Sequence, residues 1–372
     1  MNALTADLPL RRTPLFALNR ELGGNMVPFA GWEMPVHYRA GILAEHRQCR
    51  NAAALFDVSH MGAISLVGAD PAKALERLVP GDILGLAEGR VRYTMFTNEQ
   101  GGIEDDLLVT RDGDRLFLVV NASRRPEDLA LLKAGLTGSG TEAVFHPELA
   151  QVALQGPAAA PALAALAPET ASMPFMSGRA VAIKGIACFV TRSGYTGEDG
   201  FEIAMPVDRA EELARLLLAQ PGVMPVGLGA RDSLRLEAGL CLYGSDLDST
   251  TTPIEAGLAW TIGKRRREEG GFPGAAIIGA QLANGPARRR VGIRPDGKAP
   301  ARAHTPILAG GRAVGEITSG GFAPSLDAPI AMGYVATDHA AEGTTLDLMV
   351  RGTARPAKVA KLPFVAHRYF KG

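Results

Sequence analysis

The sequence predicts an α+β protein made of two mixed lobes and a small antiparallel β-barrel at the C-terminal end. Three observations lead there. At 372 residues the chain exceeds what one typical core organises, so two or three domains are expected. Its 44 glycines and 25 prolines supply many turns and disfavour a helical bundle. After about residue 286, short apolar strands recur at regular spacing between glycine and proline turns, the pattern of a small barrel or jelly roll.

Residues 1–13 read as a loose arm, followed by a short helix over 13–19 with Thr13 as its cap and Pro14 at its first position. Phe29 to Val36 reads as a strand broken by turn residues, and Gly41 to Asn51 as a helix. The run Phe56 to Gly68 reads as one strand, after which Asp70-Pro71 opens a helix reaching Leu78. Tyr93 to Asn121 is a three-strand meander. Asn98–Gly102 makes its first turn and Asp112-Gly113, two residues that tolerate positive φ, its second. A helix over 126–136 leads to a second block: a strand from Gln151, a Pro-rich helix over 158–166 and further hairpins. That order repeats the first block, so two lobes of similar design are expected. Helices over 208–218 and 226–239 follow, the second stopped by Gly239. Polar, glycine-rich Lys264 to Gly274 reads as a boundary segment. We assign 1–285 to the two lobes, their mutual boundary left open, and 286–372 to the barrel, with strands near 289–293, 305–308, 312–319, 330–335, 345–350 and 354–359.

Bulk composition narrows the function classes. Lys plus Arg and Asp plus Glu are 39 each, so no overall field attracts nucleic acid. Cys49, Cys188 and Cys241 are odd in number and far apart, which makes neither a disulfide framework nor a Cys-x-x-Cys metal pair. No apolar run reaches the ~18 residues of a membrane-spanning helix. Cytoplasm is the default compartment, with an organelle matrix if a transit peptide has been trimmed.

Within the meander, Ile103, Asp105, Leu107 and Val109 are expected on one face and Glu104, Asp106, Leu108 and Thr110 on the other. Leu107-Leu108-Val109 suggests a strand covered on both sides, where two consecutive aspartates break a local rule. Either the strand opens with exposed carboxylates, or a perturbed acid sits there for chemistry. Ser193 to Ile203 carries three glycines around polar residues and reads as an exposed hairpin or a compact loop presenting Tyr195, then a strand bearing Glu202; an ordinary turn is the alternative. Arg231 and Arg235 share a helix face, as solvated cations or as a bidentate grip on a carboxylate. Neither His-Glu-x-x-His, Gly-x-Ser-x-Gly nor a full dinucleotide fingerprint occurs, so no metal is expected. Basic runs at Lys264–Arg267 and Arg288–Arg290 are either solvated surface or the dock for an acidic partner.

Several long stretches, in order, resemble the aminomethyltransferase family, the T-protein of the glycine cleavage system. They are Phe56-Asp-Val-Ser-His-Met-Gly, Tyr93-Thr-Met-Phe-Thr-Asn, Gly101-Gly-Ile-Glu-Asp-Asp-Leu, Gly194-Tyr-Thr-Gly-Glu-Asp-Gly-Phe-Glu and Ala230-Arg-Asp-Ser-Leu-Arg-Leu-Glu-Ala-Gly-Leu. Thr251 to Trp260 and Arg302 to Ile307 extend the resemblance to nearly the whole chain. It implies a three-domain cloverleaf of two α+β lobes and a C-terminal antiparallel β-barrel around a central folate cavity. It implies transfer of an aminomethyl group from the lipoyl arm of H-protein to tetrahydrofolate with release of ammonia, and partnership with the other glycine cleavage components, without nucleic acid or membrane. By resemblance the catalytic aspartate falls on Asp106, pterin contacts on Tyr93, Tyr195 and Glu202, and folate-tail contacts on Arg231 and Tyr369. Asn121 and Met61 line the pocket. The same fold is shared by folate-dependent demethylases and other one-carbon transferases, and a folate-binding protein without turnover would also fit. Glu104-Asp105-Asp106-Leu107 and Gly194 to Gly200 favour the aminomethyltransferase.

Overall fold

The computed structural model describes residues 9–371. The expected arm at 1–13 therefore lies largely outside the described residues, but Arg11–Arg12 forms a short strand parallel to Trp32–Glu33. Thr13 does not cap the helix, which runs Phe16–Glu21; its hydroxyl donates instead to Asp57 Oδ2 at 2.6 Å. The broken strand at 29–36 is a hairpin, Asn25–Phe29 against Trp32–His37, turning at Ala30-Gly31.

Phe56 to Gly68 is not one strand. Ala53–Asp57 belongs to a six-stranded sheet and Gly62–Gly68 to a five-stranded sheet, with a turn at 58–61 between them. The chain thus enters the second lobe's sheet before it builds the first, because Ala53–Asp57 pairs antiparallel with Leu149–Gln155 and parallel with Val223–Pro225. The five-stranded sheet contains Val91–Thr97, Ile103–Asp112, Arg115–Val120, Gly62–Gly68 and Thr141–Phe145 in that spatial order. Helix Arg125–Gly135 covers one of its faces. Pro126 sits in the helix's first turn, where a missing N–H costs nothing. Leu132 and Leu136 close a core with Ile64, Leu66, Phe96, Leu107 and Val120. The sheet's other face meets the second lobe, where the Phe117 and Phe189 rings lie 4.8 Å apart.

The barrel closes with six strands, Arg288–Pro295, Pro306–Ala309, Arg312–Ala323, Ala328–Ala336, Thr345–Val350 and Thr353–Ala360. The segment expected as a loose boundary begins instead with helix Lys264–Glu269, and a second helix, Ala275–Asn284, starts directly after it. The proposed division at 286 falls in the connection between the second of these and the first barrel strand.

Candidate active site

Ile103–Asp112 is the middle of its meander, and its register against Val91–Thr97 slips once. Phe96 opposes Asp105 while Thr97 opposes Ile103, which leaves Glu104 as an extra, bulged residue. A one-residue slip sends the preceding side chains to the other face. Ile103 accordingly packs with Met95, Cys241 and Leu247, whereas Leu107 and Val109 enter the lobe's core. The face expected to unite Ile103, Asp105, Leu107 and Val109 breaks at Ile103.

The bulge splits the aspartates between two environments. Asp105 opposes Phe96, faces the core side and is fully buried. Asp106 opposes Met95 on the other face, where it keeps partial exposure. Tyr93 shares that face one step along the neighbouring strand, and its hydroxyl donates to Asp106 Oδ2 at 2.8 Å. Asn121, just past the third strand, donates from Nδ2 to Asp106 Oδ1 at 2.7 Å and to Asp105 Oδ1 at 2.8 Å. Its backbone N–H also reaches Asp105 Oδ2 at 3.2 Å. One amide therefore fixes both carboxylates.

These carboxylates are strongly perturbed. Burial, then the charge of Asp105, pushes the Asp106 carboxyl up to about 7, although the Tyr93 and Asn121 hydrogen bonds pull it down. Burial also raises Asp105. Desolvation and the neighbouring Asp106 carboxylate hold the Tyr93 hydroxyl firmly protonated, so it donates.

Of the two forms expected for residues 193–199, the structure shows the compact loop rather than the exposed hairpin. Ser193, Thr196, Gly197 and Glu198 are buried, and the loop is gripped by Gln155: Thr196 Oγ1 donates to its Oε1 at 2.9 Å, and its Nε2 donates to Ser193 O at 2.9 Å. Tyr195 donates its hydroxyl to the Cys241 carbonyl, in the irregular segment that also packs over Tyr93. The Arg231 guanidinium lies 4.9 Å over the Tyr195 ring. Burial lowers the Arg231 pKa, with Glu202 the foremost charge opposing that shift, and Nη1 is buried without a hydrogen-bond partner among the described residues. Glu202 accepts from Ser193 Oγ at 2.8 Å. Arg231 and Arg235 divide their roles: Arg235 is bound by Asp246, Asp232 and Ser319, so Arg231 is the one left able to grip a ligand.

Other expected residues stand apart. Met61 packs beside Phe56, Val58 and Ala230. Tyr369 stacks on Phe175 at 4.1 Å and meets the His367 ring at a tilt, 4.8 Å away, and none of its described contacts ties it to Arg231 or Tyr195. Within the first proposed docking run, Arg265 pairs with Glu76, Asp82 and Glu269 and buried Arg266 donates to the Glu76 and Val79 carbonyls, while Lys264 stays exposed. In the second run Arg289 is exposed and Arg288 pairs with Glu255. Two open hollows, about 680 Å³ beside Lys133 and Thr137 and about 320 Å³ between Asp248 and Glu316, contain none of the candidate residues.

Sequence reasoning passed over Asp128, Trp260 and His60. Asp128 lies in the first turn of helix Arg125–Gly135 and is 1% exposed. Its only sequence signal is an acid on the inner stripe of a helix. Trp260, 68% exposed, stacks on Tyr93 at 5.9 Å and 20°. Buried His60 is driven down to about 3 by desolvation and by Arg231 and Arg125, so it is neutral there. Among the described residues, no cluster of His, Cys, Asp and Glu is arranged to hold a metal ion. The three cysteines are buried and free.

Residues 15–266 match the GCVT N-terminal domain family, and residues 288–366 the glycine cleavage T-protein C-terminal barrel domain. The chain is 48% identical to a mitochondrial aminomethyltransferase of Solanum tuberosum, covering 98% of this chain and 92% of that one. It is likewise 48% identical to one of Gallus gallus, covering 97% and 94%. The crystal structure of the glycine cleavage system aminomethyltransferase T from Bartonella henselae superposes with a TM-score of 0.93 at 43% identity, covering 97% of this chain and all of that one.

Proposed function

We propose, starting from a chain that belongs to the glycine cleavage T-protein family, that Asp106 is the carboxylate on which its catalysis turns. The protein is an aminomethyltransferase of the glycine cleavage system. The finer reading is that the aminomethyl group arrives on the lipoyl arm of H-protein and passes to tetrahydrofolate, leaving ammonia and the reduced arm. The plant and bird relatives are mitochondrial by name, which favours an organelle matrix over the cytoplasm, and no described helix is long and apolar enough to cross a membrane.

The observation that carries the reading is the setting of Asp106. It is a partly exposed acid whose two oxygens are aimed by Tyr93 and Asn121 and whose proton leaves at about 7. An acid so poised is ionised over much of the neutral range without being fully solvated, which suits it to orient an attacking amine and to offset iminium-like positive charge as ammonia departs. Burial of an unpartnered Arg231 Nη1 fits a substrate whose tail ends in carboxylates. Glu202 supplies an acceptor for the adjacent N–H donors of a pterin edge, and the Tyr195 ring a flat apolar surface. Asn121 acts through its hold on Asp106, while Met61 and Tyr369 enter the proposed lining on the family resemblance alone, since their described contacts lie elsewhere.

The test is ammonia release from aminomethylated carrier in the presence of tetrahydrofolate. Asp106→Asn is expected to lose about 10²–10³ in rate while tetrahydrofolate affinity stays within a few-fold. Equal turnover by wild type and variant refutes the assigned role.

A further inference from the structure

Buried on the far side of Asp105 is an acid that none of the catalytic assignments uses. Asp128 is 1% exposed, and neither of its carboxyl oxygens accepts from any N–H or O–H among the described residues outside its contact with Asp105. An ionised carboxylate in that position would be desolvated and unpaired, which proteins rarely tolerate. Beside it, Asp105 is fully buried as well, yet accepts from the Asn121 backbone N–H and from Asn121 Nδ2. Two carboxyls in contact cannot both be charged, and the charge settles on the one with donors. That one is Asp105.

We propose that Asp128 is a positioning residue that stays protonated during turnover and donates a hydrogen bond to Asp105, so that Asp105 stays anionic and Asn121 stays aimed at Asp106. The proposal rests on the reading of Asp106 given above. The relay runs from helix to strand to reacting face: Asp128 to Asp105, Asp105 to Asn121, Asn121 to Asp106. Arg124, at the start of the same helix, favours ionisation of Asp128, while Glu127 and Asp105 oppose it. Glu104 engages Arg124 at 3.4 Å, Tyr243 faces Asp105 from the irregular segment, and Asp106 faces it from the strand. The N-terminal turn of the helix favours an anion. Burial outweighs it, and the Asp128 carboxyl is driven up to about 10.

A carboxylic acid that stays protonated above the Asp106 midpoint has a direct signature. At mildly alkaline pH, between about 7 and about 10, the infrared spectrum of the wild-type protein should show the carbonyl stretch of a protonated carboxyl. Asp128→Asn should remove it. Kinetics supply a second readout. In Asp128→Leu, Asp105 has no donor from the helix and takes the proton itself, so its charge no longer raises Asp106. The acidic limb of kcat/KM then moves to lower pH, and kcat falls about tenfold with KM for tetrahydrofolate nearly unchanged. Asp128→Asn carries an N–H that can donate to Asp105 and should recover both relative to the leucine variant. A missing wild-type band, or a band that survives Asp128→Asn, overturns the proposal. So does an asparagine variant as impaired as the leucine one. Should Asp128→Leu not fold, the infrared comparison decides by itself. Absence of tetrahydrofolate-dependent ammonia release in wild type would strike the reading of the active site while leaving the infrared result intact.

Discussion

At Asp106 the native state holds a proton that the unfolded chain gives up near the usual carboxylate range. With the folded value raised to about 7, the native state binds more protons than the unfolded state between roughly 4 and 7. Stability therefore falls as pH rises through that window, and Asp128 extends the fall toward about 10. Asp106→Asn removes the first part of that slope. Urea titrations should find the variant more stable than wild type by about 1–2 kcal/mol above neutrality, with the gap closing toward about pH 4, a figure reduced because water reaches Asp106. A gap that does not change with pH contradicts the assignment. The consecutive aspartates stood out because such a pair in an apolar strand breaks a local rule, but the choice of Asp106 over Asp105, and of Tyr195, Glu202 and Arg231 as ligand contacts, came from the family resemblance. Asp128 was not legible: one acid among the apolar positions of a helix looks like any exposed acid until the sheet beneath it is known.

Elements came through with their types and lost some of their boundaries. Period-two and glycine signals located the meander and all of the barrel strands, since each depends on a few neighbouring residues. The bulge at Glu104 and the division of Phe56 to Gly68 between two sheets left no such mark, because tertiary pairing decides both. The turn ahead of the aspartates shows how tightly that pairing is enforced. Gly102 lies against the 248–251 segment, where a Cβ would come within 1.8 Å of the Ser249 carbonyl oxygen, and Ile103 N–H is shared between the Asp248 and Thr251 carbonyls. Gly102→Ala must push backbone from backbone. We expect it to cost about 2 kcal/mol or more in stability and to lower kcat at least tenfold by moving the bulge that aims Asp106, read by thermal melting and turnover. Unchanged melting and rate would mean that the bulge is held elsewhere.

Across the whole molecule, the units are joined by small apolar clusters, such as Phe117 with Phe189 and Leu236 with Ile330 and Met332, and by buried charge. Arg235 donates to Asp246 at 2.6 Å and to Ser319 at 2.9 Å, tying helix Leu228–Glu237 to the irregular segment and the barrel, and Ser325 donates to Glu237 at 2.7 Å. Arg50 bridges Glu198 and Glu237, and Arg368 returns the C-terminal tail to Glu198. Basic residues that looked free in the sequence, Arg266 above all, are absorbed by such contacts. Arg231 differs from Arg266 in having no hydrogen bond or ion pair among the described residues: it is stacked over Tyr195 with Nη1 buried and unmet, whereas Arg92, Arg111 and Arg266 each leave only Nε buried and unmet. Asp106 from the first lobe and the Arg231–Tyr195–Glu202 group from the second are joined through the 240–262 segment, which packs on Tyr93 and receives the Tyr195 hydroxyl. That arrangement is consistent with one ligand spanning both lobes. The most direct measurement is a crystal structure of this protein with a reduced folate bound. The account predicts an Asp106 carboxylate oxygen about 3 Å from a reacting pteridine nitrogen, with the glutamyl carboxylates at Arg231. A pteridine bound away from the Asp106 face, or protein filling the space between Asp106 and Arg231, would contradict it.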